Sequence, residues 1–183
     1  MKLIRMVMTV SMSLLILTGC QTVSNKAVSE ATSPPSFVNV ALIGSNNQSV
    51  GTAELSEVPD GVQLDVQVSG LTPGVHGIHI HEKGICEAPT FDTAGGHLNP
   101  LKKEHGFLNP KGAHAGDLPN LIVDEQGNGR FSAITKSVVF MPDKPNSLLR
   151  PGGVSLVIHE KADDLKTDPS GNSGKRIACG AVK

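Results

Sequence analysis

A chain of 183 residues is long enough for one domain with a sizeable core once targeting residues are set aside. Its 16 basic and 17 acidic residues leave a net charge of −1, and it has no Trp and no Tyr. That profile excludes a nucleic-acid surface built from basic patches and stacking aromatics.

The N-terminus opens with a short positive stretch, Met1-Lys2-Leu3-Ile4-Arg5, followed by an apolar run from Met6 to Leu17 broken only by Thr and Ser. The run is too short to cross a bilayer comfortably and has the build of a signal-peptide core. It ends in Leu17-Thr18-Gly19-Cys20, which resembles a bacterial lipobox, cleaved before a cysteine that receives lipid. An ordinary secretory signal beside a chance cysteine is the other reading. Residues 1–19 are therefore expected to be a signal peptide. Residues 20–36 are expected to be a lipid-anchored flexible tether, because 21–36 is rich in Ser, Thr, Ala and Pro and lacks hydrophobic periodicity. Losing 1–19 removes Lys2 and Arg5 and no acid, which moves the net charge from −1 to −3. The expected location is extracytoplasmic, anchored by lipid to a bacterial membrane.

From Phe37 the pattern turns to strand. Residues 37–43 form a plausible first strand, ending at Gly44-Ser45-Asn46-Asn47, and 50–58 runs to a turn at Pro59-Asp60-Gly61. Residues 62–68 alternate apolar and polar cleanly, the mark of a half-buried strand. Leu71-Thr72-Pro73-Gly74 then turns into Val75-His76-Gly77-Ile78-His79-Ile80-His81-Glu82. On a strand His79 and His81 share one face, roughly 7 Å apart at Cα, while Ile78 and Ile80 face the other way. Two imidazoles so placed can converge on one ion, whereas His76 has the parity of the isoleucines and should not join it.

Residues 84–119 carry Gly95-Gly96, Asn99-Pro100, Asn109-Pro110 and little periodicity. A structureless stretch of that length signals function or disorder, and this one holds His97, His105, His114 and Asp117. A metal can order a loop that has no core of its own, because binding free energy becomes folding free energy. Strands resume at 121–123, turn through 124–129, and pair back over 130–134. A short apolar run at 138–140 is cut off by Pro142 and Pro145. An apolar strand over 154–159 ends in His159, a second loop covers 160–175, and 176–182 closes the chain. About eight short strands with turn signals make an all-β barrel or sandwich. Imidazole with one carboxylate suits zinc and copper rather than calcium or magnesium. With His76 set aside, six histidines and Asp117 fill the eight positions of two four-coordinate metals if one imidazole bridges both.

Five stretches, GVHGIHIHEKG, AGGHLNP, KEHGFLNPKGAHAGDLPN, VIHEKADD and GNSGKRIACG, resemble the bacterial copper-zinc superoxide dismutases, in the family's order, from about Phe37 to the C-terminus. The resemblance implies an eight-stranded Greek-key β-barrel with two long functional loops over one face, spanning 37–183. It implies one copper per chain on His79, His81, His97 and His159, and one zinc on His97, His105, His114 and Asp117, with His97 as the bridge. It further implies a disulfide between Cys86 and Cys179, although two free thiols remain the alternative on the residues alone. Arg176 matches the arginine that guides the substrate, and Asp163 the carboxylate linking a copper-side to a zinc-side histidine. Ser170 falls beside the substrate channel. The activity implied is disproportionation of superoxide to dioxygen and hydrogen peroxide, with His97 delivering a proton.

Two other readings compete: a copper- or zinc-binding lipoprotein without turnover, and a structural domain whose sites stay empty. The complete ligand set argues against the latter, and Arg176 with Asp163 against the former, since storage needs neither. The partners expected are superoxide and a membrane, with no nucleic acid. Monomer and homodimer are both left open.

Overall fold

The computed structural model describes residues 36–183. The expected signal peptide, Cys20 and all but the last residue of the tether lie outside the described residues. Among the described residues nine strands form one antiparallel sheet: β1 (Phe37–Gly44), β2 (Ser49–Val58), β3 (Gly61–Val68), β4 (Gly74–His76), β5 (Ile78–His81), β6 (Leu121–Val123), β7 (Gly129–Thr135), β8 (Val154–His159) and β9 (Arg176–Val182). Their order across the sheet is β4-β6-β7-β3-β2-β1-β9-β8-β5. The sheet thus begins and ends on two strands separated only by Gly77, so it rolls into a nearly closed barrel. From β3 the chain passes over β7 and β6 to reach β4, a Greek-key crossing. The ninth strand arises because the His-rich run breaks at Gly77, where an added Cβ would press on the Ser173 and His79 side chains. Counted as one run, β4 and β5 restore eight.

Side-chain parity builds the core. In β3, Val62, Leu64, Val66 and Val68 point inward and Gln63, Asp65 and Gln67 do not. Val40, Leu42, Leu55, Ile78, Ile80, Leu121, Leu156 and Ile158 meet them in one contiguous cluster. Val138 and Phe140 are buried in the same cluster although 138–140 makes only a single bridge, Val139 to Ser147. The prolines that follow cannot donate to a ladder, so these side chains plug the barrel from a loop.

Burial does not alternate in β5 and β8, where every residue is buried, as the apolar run over 154–159 leads one to expect for β8. One face of each packs on the core, and the two long loops cover the other. The first loop carries a short 3₁₀ helix, Asp92–Ala94, and runs beside the outer edge of β5. Ile80 donates to Gly116 O at 2.8 Å, Leu98 donates to Ile80 O at 2.8 Å, and isolated bridges join His79 to Asp117 and His81 to His97. A second small core of Phe91, Ala94, Val157 and Cys179 lies under this loop. There Cys86 and Cys179 form a disulfide across 93 residues, tying the loop to β9.

Candidate metal centre

Two clusters of ligand-type side chains share one residue. His79, His81, His97 and His159 form the first, and His97, His105, His114 and Asp117 the second. All seven are buried, and within each cluster one atom from each residue lies within 4.8 Å of the others. Strand β5 supplies His79 and His81 from its outer face, β8 supplies His159 from its last position, and the first loop supplies the rest.

In the first cluster the second ring nitrogen of three imidazoles is already engaged. His79 Nε2 donates to Asp163 Oδ2 at 2.8 Å, His81 Nδ1 to Gly95 O at 2.9 Å, and His159 Nδ1 to Gly174 O at 3.3 Å. Those acceptors place the hydrogen on the outer nitrogen and leave a lone pair on the inner one. The inner atoms are His79 Nδ1, His81 Nε2 and His159 Nε2, and with His97 Nε2 they are buried without any hydrogen-bond partner. Unpaired buried polar atoms are costly, so four converging on one point mark a place for an electrophile. Burial lowers the pKa of all four, to about 4 for His97 and about 3 for His159, with repulsion between neighbouring imidazoles adding to it at His81, His97 and His159. They are neutral near pH 7, the form that binds metal.

The second cluster faces the other side of the His97 ring. Asp117 Oδ1 lies 2.9 Å from His97 Nδ1, 3.0 Å from His105 Nδ1 and 3.3 Å from His114 Nδ1, and the His97 and His114 Nδ1 atoms are 3.3 Å apart. Ligand atoms of a tetrahedral zinc site, with bonds of about 2.0–2.1 Å, are separated by roughly 3.3 Å. Three nitrogens and one oxygen therefore already stand at near-tetrahedral spacing. Asp117 Oδ2 is held by the Gly106 and His114 N–H groups at 2.9 and 3.0 Å, which aims Oδ1 at the imidazoles. Burial works against ionising Asp117, but hydrogen bonds from His105, His114, His97 and Gly106 outweigh it and hold the carboxyl below its ordinary range.

Asp163 joins the clusters. Its carboxylate accepts from His79 Nε2 and from His105 Nε2 at 2.9 Å, and from the Leu165 N–H at 2.6 Å. Burial disfavours its charge, yet the bonds from His105 and His79 hold it ionised. His105 lies between Asp117 and Asp163; its burial lowers basicity, but the two carboxylates raise its pKa to about 9. Zinc at this point would replace the Nδ1 hydrogen and leave Nε2–H on Asp163. Gly171, at φ 63°, leaves room for the carboxylate, since an added Cβ would collide with Asp163 Oδ1.

Sequence reading missed the parts that lock the two loops together. The Asn120 amide donates to Asp163 O at 2.9 Å and accepts from Asp163 N–H at 2.8 Å. Asp168 Oδ1 accepts from the His105 N–H at 2.7 Å. Each pairs positions 43 and 63 residues apart on aperiodic chain, and no local pattern announces them.

A cavity of about 460 Å³ opens above the first cluster, lined by His81, His97, His159, Lys103, Ser170 and Arg176 among others. Arg176 donates from Nη1 to Phe91 O at 2.6 Å and from Nη2 to Gly95 O at 2.7 Å. These bonds anchor the guanidinium on the disulfide-bearing loop, with the cation at the cavity wall.

The family model described as copper/zinc superoxide dismutase matches residues 49–182. Superoxide dismutase (Cu-Zn) 2 of Aquifex aeolicus is 47% identical over 143 residues, 78% of this chain and 84% of the relative. Superoxide dismutase-like protein YojM of Bacillus subtilis is 44% identical over 146 residues, 79% of this chain and 74% of that one. A crystal structure of a doubly mutated SOD-like protein from Bacillus subtilis superposes with a TM-score of 0.78 at 44% identity, covering 81% of this chain and 99% of the other. The copper-zinc enzyme of Brucella abortus gives 0.65 at 28%, covering 80% and 99%. With the matched residues spanning most of the barrel and both clusters, the chain belongs to the copper/zinc superoxide dismutase family.

Proposed function

We propose that the chain is an extracytoplasmic copper-zinc superoxide dismutase, with copper at His79, His81, His97 and His159 and zinc at His97, His105, His114 and Asp117. The carrying observation is the set of four unpartnered buried nitrogens beside an arginine-lined cavity, sharing one imidazole with a His₃Asp set. Copper supplies reversible one-electron exchange, so that two superoxide anions and two protons give dioxygen and hydrogen peroxide. The protein contributes the rest. Arg176 draws the anion into the cavity and can hydrogen-bond it with guanidinium N–H groups not spent on the loop carbonyls. His97, fixed by its Nδ1 contacts, can hold a proton at Nε2 and pass it to reduced dioxygen without its ring swinging away. Asp163 orients His79 and His105 together.

The relatives include one named only as dismutase-like, so metal content and turnover must be measured on the same sample. One copper and one zinc per chain with superoxide dismutation is the expected result. Both metals without turnover would establish the storage reading instead.

Arg176→Gln should lower the rate while leaving both metals bound. A unit charge about 6 Å from the anion contributes about 0.7 kcal/mol even at the dielectric constant of water, roughly threefold in local concentration. Its attraction is screened over about 8 Å at physiological ionic strength, so the variant should be slower and show a shallower salt dependence. Equal rates and salt slopes would remove Arg176 from the mechanism.

Cys20 is proposed as the lipid attachment point, with residues 21–36 as the tether; the support is the lipobox-like Leu17-Thr18-Gly19-Cys20. Cys20→Ala should shift the protein from the detergent phase to the aqueous phase with metal binding intact.

A further inference from the structure

A groove of about 320 Å³ lies between the first loop and the connection from β7 to β8, and the proposed reaction does not use it. Pro100, Leu101, Ala113, Ala115 and Pro145 give it an apolar lining, to which Lys103 and Lys136 add two cations. Among the described residues no carboxylate lines it. Leu101, at 71% exposure, stands out from its rim.

Both walls are held in place by the fold. On the loop side the Asn99 amide grips the Lys103 backbone twice, donating to its carbonyl at 2.8 Å and accepting from its N–H at 3.0 Å. On the other side Asn146 Nδ2 donates to Ser137 O at 2.8 Å, and the Val139 N–H to Asn146 O at 3.3 Å. The two ammonium groups are uncommitted. Among the described residues the lysine pairs with carboxylates are Lys111 with Glu104, Lys136 with Asp60 and Lys144 with Asp143, so Lys103 has none. The Lys136 pair spans 3.4 Å between side chains 77% and 75% exposed, and a pair so solvated is readily exchanged for a ligand.

An apolar lining with two uncommitted cations is complementary to an amphiphilic anion. The size of the groove narrows the choice. It lies at the lower end of the roughly 300–1,000 Å³ that encloses a small ligand. A headgroup and the first carbons of a chain fit, and a whole lipid does not, so the rest of such a molecule must stay in its own bilayer. The chain's net charge is −1, and −3 without residues 1–19, so an anionic surface repels the molecule as a whole. Attraction has to be local, and the two lysines supply it.

We propose that this groove docks the domain on a membrane by seating the phosphate of an anionic phospholipid between Lys103 and Lys136, with Leu101 entering the lipid layer. The proposal rests on the reading of Cys20 as a lipid anchor, which brings the domain to a bilayer without selecting the face it presents. The groove selects it. Lys103 also lines the cavity above the first cluster, so the docked face carries the cavity mouth beside the lipid surface.

The chain has no Trp, so one introduced indole is an unambiguous reporter. Leu101→Trp places it at the groove. Thr52→Trp places it on the outer face of β2, level with Arg130 rather than with Thr135. The lipidated proteins from their host are added to vesicles of phosphatidylcholine, alone or mixed with phosphatidylglycerol, whose acyl chains carry bromine as a quencher. Flotation with pure phosphatidylcholine vesicles reads the anchor, and quenching reads the docked face. The expected result is quenching of Leu101→Trp on the mixed vesicles and not on phosphatidylcholine, with Thr52→Trp quenched on neither. Adding Lys103→Gln or Lys136→Gln should each lower the ratio of docked to undocked protein about fivefold, the effect of one lysine near an anionic surface. Lys83→Gln, outside the groove, should leave it unchanged.

Quenching of both reporters, of neither, or equally on both vesicle types would overturn the docking site, as would an equal loss in Lys83→Gln. A fluorescence change that follows protein concentration rather than lipid would give the groove to a second copy of the chain and overturn membrane docking. Failure of the wild-type protein to float with phosphatidylcholine would instead reject the anchor. Flotation with the mixed vesicles then decides: its loss in both groove variants but not in Lys83→Gln supports the groove, and its absence in the wild type removes it.

Discussion

Replacing Asp163 with asparagine is expected to weaken zinc binding by about 10–100-fold, the usual effect of removing a carboxylate that orients metal-bound imidazoles. The buried carboxylate accepts from His79, His105 and the Leu165 N–H at once. An amide keeps the shape but has one acceptor atom, and its NH₂ group would face an imidazole N–H as a second donor. One ring must turn or change tautomer, and a His105 with its hydrogen moved to Nδ1 no longer offers zinc a lone pair. His79 is exposed to the same conflict on the copper side, so its Nδ1 should lose its aim as well. Competition with a zinc chelator, read against copper content, measures both effects. Unchanged zinc affinity would show that Asp163 does not set the imidazole tautomers.

The second large effect is expected from the disulfide. Closing a loop of 93 residues restricts the unfolded chain by about 4–5 kcal/mol on the chain-entropy account. For a domain of this size that corresponds to a fall in Tm on the order of 10–20 °C when the bridge is removed. The double variant Cys86→Ala, Cys179→Ala, compared with wild type in the metal-free state, isolates this contribution. The consequence reaches the site, because the bridged loop also supplies the Phe91 and Gly95 carbonyls that anchor Arg176. Activity of the reloaded variant should therefore fall further than metal content does. A melting curve that matches wild type would show that the packing of Phe91, Ala94 and Val157 alone secures the loop.

Much of the barrel was legible because a half-buried strand writes its burial into every second residue. Residues 62–68 alternate in sequence and in the structure alike. The pattern is silent where both faces are covered, as in β5 and β8, and there length and the terminal histidines were the guide. The seven residues of the two clusters could be picked out by type and spacing, since few side chains bind zinc or copper. Which contacts hold those seven in place could not be read. Asn120 and Asp168 act through backbone groups far away in sequence, and backbone groups have no letter in a sequence. Parity kept His76 out of both clusters.

The meeting of the barrel's first and last strands at Gly77 also bears on how the molecule keeps apart from its own copies. A rolled sheet hides the unpaired amides and carbonyls that would invite a foreign strand. On β5 that protection comes from the first loop, through the bridges at His79–Asp117 and His81–His97. All four bridge residues belong to the two clusters, and backbone bonds between Ile80 and both Gly116 and Leu98 lie between the bridges. The stretch that gathers the ligand-type side chains is therefore the same stretch that closes off the β5 edge to a second chain.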